Sequence, residues 1–395
     1  MKSFHCDHCQ SLVFFENVLC LRCGEQLSYL PDRASMAAMK PAESGLWRAS
    51  GDEGEQRRYR PCANRIEHDI CNWAMPVTAD GAPAANGELC SSCRLTRVIP
   101  DISVDGNKAA WYRIEVAKRR LIYTLNGLRL PLDPSRSAGD GGIVFEFRAD
   151  SISPNGDRNR ALTGHDNGVI TINVAEADDI QRERQRLQQN EPYRTLLGHF
   201  RHEIGHYYWD RLIRDGNHQA SFRAIFGDER ADYTAALQRH YANGASPDWE
   251  QHFVSAYASA HPWEDWAECW AHYLHMTDAL ETASSTGLSL RPTRPDEPAM
   301  SAAPDPLRPE GAAFDRMVKS WVALTYVLNS LNRGLGRPDS YPFVLSAPVI
   351  DKLRFVHQVI NGTPKAASTA AEDRSTGPSY RGMGMAPAAA SGRTS

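Results

Sequence analysis

The stretch Leu196-Leu197-Gly198-His199-Phe200-Arg201-His202-Glu203-Ile204-Gly205-His206-Tyr207-Tyr208 decides the reading of this chain. Tyr193, Leu196, Leu197, Phe200, Ile204 and Tyr207 recur at helical spacing, so the pattern predicts a helix from Pro192 to about Arg214. Residues four apart lie on one helix face, which lets His202 and His206 hold a single metal ion together. Glu203 stands one position further on, where its carboxylate can reach a water beside that ion. A five-residue pattern also arises by chance in amphipathic helices. The reading therefore depends on finding a third ligand elsewhere.

Within the helix itself there is none. A metzincin would need a glycine and then a histidine where this chain has Trp209 and Leu212, so that class is excluded. In gluzincins the third ligand is a glutamate on a later helix, with an acid four residues beyond it. Glu264-Asp265-Trp266-Ala267-Glu268, on a helix predicted from about Pro262 to Met276, has that arrangement. Glu264 would bind the metal, and Glu268, on the same face, would accept the outer N–H of a ligand histidine. Acids at a helix start also complement its dipole, which is the competing explanation for Glu264 and Asp265. Asp228, Glu229 and Asp232 form a second acidic candidate nearer the motif, and His261, His272 and His275 are further donors. His199 shares a face with His202.

Eight of the nine cysteines fall in the first 93 residues. Cys6-x-x-Cys9 and Cys20-x-x-Cys23 are two knuckles of the kind that close a tetrahedral four-cysteine zinc site, and Gly24 suits the tight backbone after the second. Cys62, Cys71, Cys90 and Cys93 form a looser set, with knuckle spacing only in the last pair; we expect a second structural zinc, with His68 the alternative fourth ligand. His5 and His8 read as bystanders, and Cys269 as a buried apolar residue. The expected cofactor is thus zinc: one catalytic ion and one or two structural ones.

The 395 residues, 42% of them hydrophobic, suffice for a large and a small domain. We divide the chain into residues 1–100 (a zinc-ribbon domain), 101–364 (an α+β domain, a small sheet beside several helices) and 365–395, an Ala/Ser/Gly/Thr-rich tail expected to be disordered. Trp111 to Leu128 reads as a helix whose Lys118-Arg119-Arg120 run would be a solvated face. Gly142 to Phe147 and Gly168 to Val174 read as strands, the second an exposed edge with Thr171 and Asn173 on its polar side. Ser284 to Gly311, with six prolines, reads as a long surface loop. The net charge of −4, and 11 Lys/Arg against 12 Asp/Glu in residues 1–100, give no basic footprint for nucleic acid. No stretch reaches the roughly 20 apolar residues of a membrane span. With no apolar leader before the first cysteines, a reducing cytoplasm is expected.

Residues 200–208 and 257–270 resemble the gluzincin clan, and within it the catalytic domain of anthrax lethal factor, where a Glu-x-x-x-Glu follows a tyrosine by seven residues. Tyr257 precedes Glu264 by seven. The resemblance implies that Tyr257 stabilises the oxyanion. Cys62-Ala63-Asn64, Cys71-Asn72-Trp73 and Cys90-Ser91-Ser92-Cys93-Arg94-Leu95 look like the ribbon region of the bacterial family called putative zinc-binding metallopeptidase, whose layout this chain resembles over most of residues 1–360. What these resemblances imply is a zincin-like metallopeptidase domain behind a zinc ribbon, acting on a peptide or protein substrate with Glu203 as general base. The alternative is a non-enzymatic adaptor whose ribbon binds a protein partner.

Overall fold

A computed structural model describes residues 1–51, 57–77, 88–135, 140–152, 158–179, 182, 195–308 and 310–362. The expected tail and the first residues of the 192–214 helix lie outside them.

The cysteine-rich region begins with a hairpin of β1 (Phe4–His5) and β2 (Leu12–Val13) around the first knuckle. An antiparallel meander follows, β3 (Gln26–Leu30), β4 (Ser35–Pro41), β5 (Trp47–Ala49), β6 (Tyr59–Pro61) and β7 (Ala74–Pro76). Gly24 closes the second knuckle at φ +76°, its N–H returning to Cys20 O. The one-turn helix α1 (Ala63–Ile66) follows Cys62 directly.

The second region is built on β8 (Thr96–Val98) and α2 (Asn107–Gly127), then β9 (Val144–Arg148), the small hairpin β10 (Ser151–Ile152) and β11 (Arg158–Asn159), β12 (Gly164–Asp166) and β13 (Val169–Asn173). A four-stranded sheet runs in the order β12-β13-β9-β8, parallel except for β12. Beneath it lies α3 (Leu196–Tyr208), whose Phe200 packs edge-on to Phe145 and Phe147. The helix continues as a π turn over Trp209–Arg214, so the predicted span to Arg214 is helical but not uniformly α. Then come α4 (Gln219–Phe226), α5 (Tyr233–Asn243), the 24-residue α6 (Pro262–Ser285), α7 (Phe314–Gly334) and α8 (Ala347–Ile360). Mixed α/β architecture behind a ribbon-like cysteine region agrees with the fold class read from the sequence.

Three expectations are overturned. The Lys118-Arg119-Arg120 run is not a solvated face. Lys118 is fully buried, paired with Glu115 at 2.9 Å and hydrogen-bonded to Thr96, and Arg119 donates to Ile70 O at 2.8 Å. The cause is that α2 is covered on one side by the ribbon and on the other by the sheet; only Arg120, paired with Glu16, reaches solvent. Nor is the strand at 169–173 an edge: β13 lies between β12 and β9, and Asn173 is buried, donating to Asp150 Oδ1 and Ala161 O. The edge is β12. Lastly, the Pro-rich stretch is not wholly superficial, because Met300 and Ala303 are buried in the core.

The ribbon and the second region share one apolar core. Phe15 and Tyr29 meet Tyr123 of α2, with ring centroids 5.4 and 5.9 Å apart. Lys2 N donates to Glu281 Oε2 near the end of α6.

Candidate metal centre

The two histidines come together because α3 is regular through the motif: Thr195 caps it, accepting from Gly198 N at 2.9 Å. Gly205 lets the partner helix close in. A Cβ there would lie 3.1 Å from Ala267 Cα and 3.2 Å from Trp270 Cβ on α6, while Trp266 Nε1 donates to Gly205 O. On α6, Pro262 occupies the first turn and His261 caps it, its Nδ1 accepting from Trp263 N. Glu264 thereby lands opposite the histidines, one residue past the cap region.

His202 Nε2 and His206 Nε2 are 3.1 Å apart, and Glu264 Oε2 lies 3.0 and 3.5 Å from them. Ligands at about 2.05 Å in a tetrahedron around zinc would stand about 3.3 Å from each other. The set fits that ion. The buried Oε2 of Glu264 has no well-formed hydrogen bond among the described residues, its neighbours being the two imidazoles. Outward from the set, His202 Nδ1 meets Glu268 Oε1 at 2.8 Å, and Ser255 Oγ donates to Glu268 Oε2 at 2.6 Å. Burial pulls the His202 imidazole down, but the carboxylates of Glu264 and Glu268 outweigh it and hold it well above its usual range. Burial pushes Glu264 up, and the two histidines more than reverse that.

Glu203 is half-buried beside this set and has no hydrogen bond or ion pair among the described residues. Tyr257 sits in a short turn before α6, its ring 5.9 Å from His202 and its hydroxyl hydrogen-bonded to Tyr241. Burial and the Glu264 charge raise its pKa, which keeps the phenol protonated. Three residues not singled out in the sequence also line the site. Tyr233 OH donates to Glu264 Oε1 at 2.6 Å, and Trp263 lies over His206 at 3.8 Å. His165 of β12 stacks toward His206 at 6.2 Å and lies 6.3 Å from Trp263. Apart from Trp263, which adjoins Glu264 in sequence, these contacts cross 31 or more residues, and no local pattern announces them.

The other donors go elsewhere. Asp228 pairs with Arg230, Glu229 with Arg223, and Asp232 caps α5 by accepting from Ala235 N. His261 caps α6, His272 meets Tyr341, His275 meets Arg201, and His199 pairs with Glu176 at 2.6 Å.

Each cysteine quartet also converges. Cys6, Cys9, Cys20 and Cys23 form one group; Cys62, Cys71, Cys90 and Cys93 form another, all four buried. Sulfurs at 3.8 Å (Cys6–Cys23), 3.6 Å (Cys9–Cys20) and 3.8 Å (Cys71–Cys90) match the roughly 3.8 Å expected for a tetrahedron with 2.3 Å zinc–sulfur bonds. Backbone N–H groups of Cys90 and Cys93 point at Cys62 Sγ and Cys90 Sγ. Within the first quartet the Cys23 backbone N–H brings the Cys20 thiol down, whereas burial pushes the Cys6 thiol up. His5 and His8 are exposed, and His68 lies against Trp111, outside the quartet. Cys269 is buried beside Asp265.

Comparison with known proteins agrees with both regions. Residues 107–359 match the family model described as "Putative zinc-binding metallo-peptidase", and residues 3–104 match a zinc-ribbon domain. Uncharacterized proteins of Mycobacterium bovis and Mycobacterium tuberculosis are 40% identical over 362 residues, which is 91% of this chain and 96% of theirs. No solved structure matches. Among the described residues, no helix is long and apolar enough to cross a membrane. With a zinc-ribbon domain in front and a family match across the whole region that carries the His202–His206–Glu264 set, the chain belongs to the "Putative zinc-binding metallo-peptidase" family.

Proposed function

We propose that this protein is a gluzincin-like zinc peptidase. His202, His206 and Glu264 would hold the zinc, which when bound polarises the scissile carbonyl and acidifies water at an open coordination position. Glu203 takes the proton of the attacking water and returns it to the leaving amine. Its carboxylate is suited to this because no ion pair engages it among the described residues. Tyr257, protonated and next to His202, donates to the carbonyl oxygen as negative charge develops there. Glu268, itself held by Ser255, keeps His202 in one orientation and tautomer. An extended substrate would lie along the side of β12 that pairs with no described strand, with His165 toward His206, adding a strand to the sheet.

The observation that carries this reading is the convergence of two imidazole nitrogens and one carboxylate oxygen, with a second carboxylate anchoring the outer nitrogen of His202. Three protein ligands leave room for chemistry, whereas a structural site is closed by four.

A test is Glu203→Gln in the full chain, with zinc counted by mass spectrometry. We expect zinc to remain and peptide hydrolysis to fall by about 10²–10⁴-fold; undiminished hydrolysis would refute the mechanism. The adaptor reading rests on the ribbon, where Leu12, Phe14, Leu21 and Ile66 are exposed at 53, 58, 94 and 67%. An adaptor would be indifferent to loss of Glu203. The cytoplasmic location expected from the cysteine usage belongs to the same proposal.

A further inference from the structure

Tyr233 stands at the first turn of α5, set by the Asp232 cap. Its ring is wedged edge-on against His261 (5.2 Å) and Trp263 (5.6 Å), the residues on either side of Pro262 at the head of α6. His261 Nε2 lies 3.1 Å from Ala231 O, so the chain entering α5 is tied to the same helix head. From this position the Tyr233 hydroxyl donates to Glu264 Oε1 at 2.6 Å, while Glu264 Oε2 faces the two imidazoles. Tyr233 remains 36% exposed, and Glu264 only 1%.

We propose that Tyr233 is a positioning residue which restricts Glu264 to binding metal through Oε2 alone. A carboxylate free to turn can present both oxygens to a cation, and the second oxygen would occupy the position that water needs. A short hydrogen bond to an ionised carboxylate is among the stronger neutral-donor bonds, and here the acceptor is buried. The phenol has a single proton. Spent on Oε1, it is withheld from a substrate carbonyl.

This rests on His202, His206 and Glu264 being the metal ligands. The test uses full-length parent and Tyr233→Phe, with zinc kept in the cysteine sites and the labile third site stripped and reloaded with cobalt(II). The phenylalanine keeps the ring contacts, so melting temperature and metal count should match the parent. The cobalt visible bands of the variant should weaken and shift, because their intensity falls as coordination number rises. Turnover of a peptide should drop roughly 10-fold or more with KM little changed. Superimposable spectra with metal bound would overturn the role of Tyr233 and leave the peptidase reading standing. A parent that takes up no third metal would overturn both. If parent and variant both bind cobalt, differ in spectrum and hydrolyse no peptide, the positioning role holds and the peptidase reading falls.

Discussion

Glu268 serves two neighbours with its two oxygens, His202 Nδ1 on one and Ser255 Oγ on the other. Ser255 Oγ also accepts from Ala258 N, at 3.1 Å, so the same hydroxyl shapes the turn that carries Tyr257. Ser255→Ala should therefore loosen the histidine without unfolding the chain. We expect zinc to leave the third site about 10-fold faster in a chelator-competition assay. His272 offers a titration experiment. Burial, reinforced by Arg201 and opposed by Glu268, brings its pKa from 6.5 down to about 4. Between those values the unfolded chain binds a proton that the native imidazole refuses, so this residue's contribution is intact above 6.5 and is lost as pH falls toward 4. Melting temperature should accordingly drop more between about pH 7 and about pH 5 in the parent than in His272→Asn.

The contact between α3 and α6 sets the distance from the histidine pair to Glu264. At Gly205 the two helices come close, and any side chain there must push Ala267 or Trp270 aside. Gly205→Ala should cost about 1–3 kcal/mol in urea unfolding and weaken zinc binding by displacing Glu264. The C-terminal α8 acts on the same helix from behind. Lys352 is buried, 2.6 Å from Asp265 Oδ2 and 2.7 Å from His252 O, so it pins the Trp249–Tyr257 approach against α6. Lys352→Met leaves Asp265 buried without its cation and should destabilise by roughly 3–5 kcal/mol, with Asp265→Asn in the same chain recovering part of the loss.

At the scale of the molecule, the described residues of the ribbon dock on α2 and on the far end of α6. Glu264 and Glu281 are 17 residues apart on one helix, a separation of about 25 Å at 1.5 Å per residue. A contribution of the ribbon to stability follows from charge. Four thiolates around one zinc carry a net double negative charge, and Arg119 and Arg65 both face the second quartet. Arg119 is itself buried in α2, so its guanidinium depends on that charge and on Ile70 O. Cys71→Ser should lower the zinc content by one ion per chain relative to the parent. Calorimetry should show the main transition of the chain moving down in temperature, not a separate melting of the ribbon.

Local pattern determined the parts of this protein whose chemistry lies within a few residues. The knuckles, the histidine pair with its glutamate, and the period of α2, α3 and α6 were legible because a helix turn or a knuckle brings near neighbours together. The Tyr257, Glu264 and Glu268 positions were legible only through family likeness and spacing. Tertiary structure alone decided the rest. It buried Lys118 and Arg119, which read as solvated, because a helix sequence does not reveal what covers its polar face. It placed β13 inside the sheet and gave the edge to three residues, Gly164–Asp166, too short to register as a strand. It also brought Tyr233 to Glu264 and left Asp228, Glu229 and Asp232 in pairs and caps of their own, since sequence spacing cannot fix where one helix meets another.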